Sequence, residues 1–224
     1  MIQQSVFEEA LKEYDRQVGR ADSFFALASD LMGSGDRCRL AAYLLLLATW
    51  NSPRFRFVWQ DFDIDAFARQ VQELEPIFAS LDHLTLAAAN LDDYKRQITS
   101  IYEALSKIKG IEYTGASKLM QLRNPALFVM WDGYIRGEKS NKFYEELPIV
   151  KSHEWERRLF TTSADSYFEF LKEMQARFRH LIVPEPLQGK SLAKAIDEFN
   201  YVSITLPIQG RRNNGKRKNS LMSV

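Results

Sequence analysis

The sequence predicts an all-α fold. Apolar residues recur at helical intervals in most segments, and no run of alternating β-branched residues is long enough to suggest a sheet. Neither glycine pattern that cradles phosphate in parallel-sheet nucleotide folds, GxGxxG or GxxxxGK(S/T), is present.

Val6, Ala10 and Leu11 mark a first helical segment, and Phe24, Phe25, Leu27, Ala28 and Leu31 a second. Asp36 reads as the N-cap of a helix over Arg37–Trp50, whose centre, Leu40 to Ala48, is apolar on every side and is expected to be buried. Pro53 ends that helix, and the alternation of Arg54, Phe55, Arg56, Phe57 and Trp59 is compatible with extended chain. Further helices are expected over Asp65–Leu81, with Pro76 as a kink or boundary, over Asp92–Lys109 and Gly115–Leu122, and from Tyr134 onward. Ser163 begins another, with Tyr167, Phe168, Phe170, Leu171 and Met174 on its apolar face; a last one starts near Ser191, after the loop Pro184–Lys190.

A chain of 224 residues, 46% hydrophobic and with 15 Phe, can bury a substantial core. Its one cysteine, Cys38, excludes a disulfide framework or a cysteine-held cluster within the chain and suits a reducing, cytosolic compartment. The start MIQQSVFEEALKEYD has no basic stretch followed by an apolar run, and the Leu40–Ala48 stretch is too short for a membrane span, so a soluble protein without a secretion signal is expected. His83, His153 and His180 lack metal-ligand spacing, so no metal site is expected. The net charge of +1 singles out no partner, but residues 211–218, RRNNGKRK, carry five Lys/Arg and no acid. That tail is either a solvated end or a basic arm for phosphates.

The informative segment is Ser106 to Arg136, SKIKGIEYTGASKLMQLRNPALFVMWDGYIR. Two helical patterns flank a turn bounded by Gly110 and Gly115, which permit positive φ and close approach of a ligand to the backbone. The first N–H groups of a helix starting at Gly115 would face outward as a seat for phosphate oxygen. Ile111 is expected to plug the turn into the core, and Ala116 and Met120 share one helix face.

These residues resemble a helix-hairpin-helix motif. In the endonuclease III-like DNA glycosylase superfamily, a hairpin of the type LPGVGxxTA precedes V-D-x-x-(V/I)-x-R. Here Ile108 to Ala116 resembles the first part and Val129 to Arg136 the second. The ASK-L helix leading into NP-x-LF-x-MWD is most similar to the branch containing 8-oxoguanine glycosylases. The likeness covers about 30 residues.

The resemblance implies a two-lobed helical domain over residues 1–210 with its active-site cleft between the lobes. The hairpin motif would span about 101–123 and the catalytic loop 124–136, followed by the basic tail 211–224. It implies an enzyme that flips a modified base out of double-stranded DNA and cuts its N-glycosidic bond. Asp132 would be catalytic: a carboxylate stabilises the oxocarbenium-like transition state and orients or deprotonates the attacking water. The same residue, placed before a helix, also reads as an ordinary N-cap. Thr114 stands where bifunctional members carry their Schiff-base lysine, which implies base removal without a lyase step. Lys118, one turn later, is the alternative nucleophile or else a solvated or phosphate-pairing lysine. Glu112 stands where the usual hairpin has glycine.

By the same resemblance Lys109, Gly110, Tyr113, Thr114, Gly115 and Arg136 would hold the DNA backbone. Trp50, Asn51, Arg54, Trp59, Phe128 and Trp131 would line the base pocket, with Arg56 and Gln60 in the same loop, although a Trp ending a buried helix is also an ordinary packing residue. No cofactor is expected apart from a monovalent cation at the hairpin. The protein would act as a monomer in a bacterial or phage-host cytosol, on an oxidised purine in repair or on a hypermodified phage-type pyrimidine in defence. A non-catalytic helix-hairpin-helix module that only binds DNA is the competing reading, and a bifunctional glycosylase and lyase using Lys118 is a third.

Overall fold

In the computed structural model, which describes residues 2–136, 161–184 and 190–207 (and only the backbone of Gly19, Arg20, Ala21, Pro53 and Arg54), every regular element among the described residues is helical. The order is α1 (Gln4–Met32), α2 (Asp36–Trp50), a short α3 (Ser52–Phe55), a 3₁₀ turn (Trp59–Asp61), α4 (Ile64–Ala79), a second 3₁₀ turn (Leu91–Tyr94), α5 (Lys95–Ser106), α6 (Glu112–Arg123), α7 (Ala164–Phe178) and α8 (Leu192–Asn200), which runs into a π turn (Tyr201–Thr205). The basic tail, His153 and residues 137–160, where the helix expected from Tyr134 onward would continue, lie outside the described residues. No described helix is long and apolar enough to cross a membrane.

The caps explain several boundaries. The side chains of Asp63, Ser163 and Ser191 accept from the backbone N–H three residues on (2.8, 3.2 and 3.1 Å), satisfying an orphan donor at the starts of α4, α7 and α8. Asp36 is not a cap. The N-cap of α2 is Gly35, at φ 102°, and Asp36 is the first helical residue, where a carboxylate faces the positive end of the helix.

The two N-terminal helices expected from the apolar spacing are one helix of 29 residues. Its buried side is Phe7, Leu11, Tyr14, Phe25 and Ala28, whereas Val6, Phe24 and Leu27 are exposed. Nor is α2 buried all round: Ala42, Tyr43, Leu46 and Leu47 are in the core, and Ala41 and Ala48 are open. Residues 52–61 form short helical turns rather than extended chain, and α4 continues through Pro76 to Ala79.

Helix α6 ties the molecule together. It packs on α1 and α2 on one side and on α5 on the other, and eight of its residues, from Thr114 to Leu122, are buried. Helix α5 also packs on α4 and α7, and α1 on α8. An aromatic triangle of Phe7, Phe178 and Phe199, with ring centroids 5.2–5.9 Å apart, joins α1, α7 and α8. Each such fully buried ring contributes about 1.5–3 kcal/mol of apolar transfer. At the opposite edge Arg123 of α6 forks onto Glu75 and Asp82, both at 2.7 Å, and Arg39 reaches Glu75 at 3.0 Å.

Candidate functional site

The α5–α6 hairpin closes as expected in outline, with a different use of its glycines. Gly110 has φ 90°, and an added Cβ would lie 2.1 Å from Val58 Cγ2. At Gly115 a Cβ would meet Ile111 Cγ2 at 2.9 Å and Asn51 Nδ2 at 3.0 Å. The space both glycines leave is filled by the chain itself. Helix α6 begins at Glu112, three residues before the expected start, and the Gly115 N–H is bonded to Ile111 O at 2.9 Å, so it is not an outward-facing donor. Glu112, where the usual hairpin has glycine, has φ 50°, the left-handed conformation glycine adopts freely. Ile111 is fully buried, as expected of a plug.

Beyond the hairpin the chain returns through 128–132 between three helices. Ser117 Oγ of α6 bridges the backbone N–H and carbonyl of Trp131, both at 3.2 Å, and Tyr167 of α7 donates to Val129 O at 3.0 Å. The Trp131 indole donates to Tyr102 OH at 3.2 Å and packs among Tyr102, Tyr167 and Phe170. Burial pushes the phenols of Tyr102 and Tyr167 well above their ordinary range, so both remain neutral hydrogen-bonding groups.

That clamp delivers Asp132 to a cavity of about 240 Å³. A cavity of about 150 Å³ holds a benzene ring, so this one has room for a planar system of one or two rings. Asp132 Oδ1 accepts from the backbone N–H of Tyr134 (2.7 Å) and Ile135 (2.9 Å), and Oδ2 from the Thr205 hydroxyl (3.2 Å). The first two bonds are an aspartate turn over residues 133–136, and the same half-buried carboxyl group also lines the cavity.

Lys118 and Trp50 line it too, and the Lys118 ammonium donates to the Trp50 carbonyl at the end of α2. Trp131 borders the cavity, although its ring is turned to the aromatic cluster. The remaining lining includes Tyr14 and Val18 of α1, Met130, Ile135, Asp197 of α8, and Tyr201 and Thr205 of the π turn. Burial, and after it the charge of Asp132, pushes the Tyr201 phenol upward, which keeps a donor in the cavity wall.

Of the residues expected in a base pocket, the fold brings Trp50 and Trp131 to the cavity that Asp132 and Lys118 line and sends the others elsewhere. Asn51 is buried, its amide donating to Gly110 O at 2.9 Å: it buttresses the hairpin. Trp59 is 67% exposed on the 3₁₀ turn, and Phe128 is buried edge-on against Phe78. Arg54 lies in α3, its side chain outside the described set, with Arg56 and Gln60 exposed in the turns that follow.

Of the residues expected at a DNA backbone, Lys109 is exposed at the hairpin and borders a second groove lined by Val58, Asp61, Phe62 and Asp63. Tyr113 is half-buried beneath the Arg136 guanidinium, 4.3 Å from its ring. Thr114, Gly110, Gly115 and Arg136 are buried.

Sequence reasoning missed the contributions of α1 and α8. Helix α8 is buried from Ala193 to Asn200, including Lys194, Asp197, Glu198 and Asn200. Lys194 Nζ sits 3.1 Å from Asp22, 3.3 Å from Glu198 and 4.0 Å from Asp197, with the rings of Phe25, Tyr14 and Trp50 4.8–5.3 Å away. Lys190 reaches Glu198 at 2.9 Å and Asp15 at 3.0 Å. Nothing in the spacing of LAKAIDEFN signals this, since its polar positions look like a solvated face.

Among the described residues no cluster of His, Cys, Asp and Glu has the makings of a metal site. His83 and His180 stand apart, at Tyr94 OH and at Ile2 O respectively. Compared with protein-family models, with curated proteins and with solved structures, the chain matches none.

Proposed function

We propose that this protein is a DNA glycosylase that flips a modified base from double-stranded DNA and hydrolyses its N-glycosidic bond, leaving an abasic site. The observation that carries the reading is the cavity that Asp132 and Lys118 both line, walled by Trp50 at the end of α2, by α6 and by the return segment 130–135. A DNA-binding module without chemistry needs no such cavity beside its aspartate.

In this reading the described helices belong to a two-lobed glycosylase fold of the helix-hairpin-helix type, and a flipped base enters beside Trp50. The Asp132 carboxylate, its geometry fixed by two backbone N–H groups and the Thr205 hydroxyl, stabilises positive charge developing on the sugar and takes a proton from the attacking water. Water is favoured over a lysine nucleophile because Thr114 occupies the lysine's place in the motif and the Lys118 ammonium is bonded to the Trp50 carbonyl. The exposed Lys109 supplies hairpin charge to the DNA backbone. Substrates in this reading are oxidised purines in repair or hypermodified pyrimidines in defence against phage.

The test is incubation with duplexes carrying 8-oxoguanine, other oxidised purines and glucosylated cytosine, with mass spectrometry of released bases. Asp132→Asn keeps the oxygen that accepts from Tyr134 and Ile135, so it should fold and bind DNA as the parent does. Base release should fall by about 10²–10³-fold. Unchanged release in that variant would refute the assignment. A borohydride-trapped DNA adduct that disappears in Lys118→Ala would replace the water mechanism with a lyase.

A further inference from the structure

The cavity holds a second carboxyl group that the mechanism above leaves idle. Asp197 enters from α8 and lines the same space as Asp132. Its side chain is nine-tenths buried, and among the described residues it makes no hydrogen bond; its partner is Lys194, at 4.0 Å. That lysine is closer to Asp22 and to Glu198. A buried carboxyl group facing a cavity without a hydrogen-bond partner is uncommon in a settled core.

We infer that Asp197 is the acid that protonates the departing base, and that the substrate is a nucleobase uncharged in DNA rather than one already cationic through alkylation. The inference rests on the glycosylase reading of the same cavity. A ring-alkylated cationic base leaves as a neutral molecule without help. An uncharged base leaves as an anion unless a proton reaches it in the transition state, so only the latter gives a buried carboxylic acid a task.

The step balances as a hydrolysis. The C1′–N bond breaks with its electron pair going to the base. The carboxyl proton of Asp197 passes to a nitrogen or oxygen of the base, leaving Asp197 a carboxylate. The oxygen of one water bonds to C1′ and gives its proton to Asp132. The two carboxyl groups return to their starting states by proton exchange with solvent.

The surroundings suit that division of labour. Asp197 is faced by Asp22 and Tyr14 from α1, Lys118 from α6, Tyr167 from α7, and Lys194 and Glu198 from its own helix, while Asp132 and Tyr201 share the cavity. Burial first, then the like charges of Glu198 and Asp22, outweigh Lys194 and Lys118 and push Asp197 up to about 7. Asp132 instead accepts three hydrogen bonds, from two backbone N–H groups and a hydroxyl. Two carboxyl groups in one cavity with such different environments are the usual basis for separate acid and base roles.

The experiment is the pH profile of single-turnover base release from duplexes carrying 8-oxoguanine, glucosylated cytosine or N7-methylguanine. For an uncharged base the parent rate should fall above a midpoint near 7. Asp197→Asn should be slower by about 10²-fold at pH 6 and flat through that midpoint. Asp197→Glu, which keeps a carboxyl group, should restore a basic limb at a shifted midpoint, and it decides the matter if the Asn variant does not fold. An Asn variant with the parental rate or the parental basic limb, or a Glu variant with an unmoved midpoint, would overturn the proposal. Release of N7-methylguanine alone would overturn it while leaving the glycosylase reading intact. No release of any base by the parent would remove both.

Discussion

Replacing Asp197 by asparagine should stabilise the folded protein above neutral pH, and the gain should fade in acid. The carboxyl group goes from an ordinary value of 3.8 to about 7 on folding. Between those limits the folded chain holds a proton that the unfolded chain has released, so stability falls as pH rises through about 4 to 7 and is level outside that window. At about 1.4 kcal/mol per pH unit, keeping Asp197 as a buried carboxylate above pH 7 costs about 4 kcal/mol. Asparagine carries no charge at any pH and avoids that cost, and Lys194 keeps its closer partners Asp22 and Glu198 in the variant. The new amide has to find its own hydrogen bonds, which takes back about half, so the net gain at pH 8 should be about 2 kcal/mol. For a chain of this size that is a rise in Tm of roughly 4–8 °C. Urea unfolding of parent and variant at pH 4.5 and pH 8 measures it. A variant less stable than the parent at pH 8, or a difference that is the same at both pH values, would refute the reasoning.

Gly110→Ala should destabilise by about 3 kcal/mol, combining the left-handed backbone penalty with the clash against Val58; adding Val58→Ala should recover only the packing share. A loss below about 1 kcal/mol by urea titration would contradict that account. Lys194→Met should cost about 3–5 kcal/mol at neutral pH, because it leaves Asp22, Asp197 and Glu198 around a site without their shared ammonium group. The loss should shrink as pH falls below about 7 and the buried acids take up protons, whose affinities burial raises at both Asp197 and Glu198; a pH-independent loss in thermal melts would count against it.

Local chemistry was legible at two helix starts. Ser163 and Ser191 start helices because a hydroxyl satisfies an N–H three residues on, and no distant contact is needed to see it. What covers a helix is a tertiary property. The apolar α2 leaves Ala41 and Ala48 open, while the polar positions of α8 are shut in by α1 and α7. The glycines of the hairpin were legible as necessary, but the reason was misplaced: Val58 and Asn51 occupy the space that a ligand would have taken. For the cavity, the motif led to Asp132 and Lys118, on the return segment and on α6, and the end of the apolar α2 led to Trp50. Asp197 was out of reach, since it arrives 65 residues after Asp132 along the chain, on a helix with no motif.

The Val58 side chain seated on Gly110 has a mechanical consequence. It stands between Phe57 and Trp59, whose rings are exposed, and it locks that loop against the turn that carries Lys109. The two backbone segments that carry the aromatic rings and the lysine are therefore coupled, and neither can shift far without unseating Val58. A surface that meets one segment meets the other at a set backbone spacing, while the exposed side chains keep their own torsional freedom.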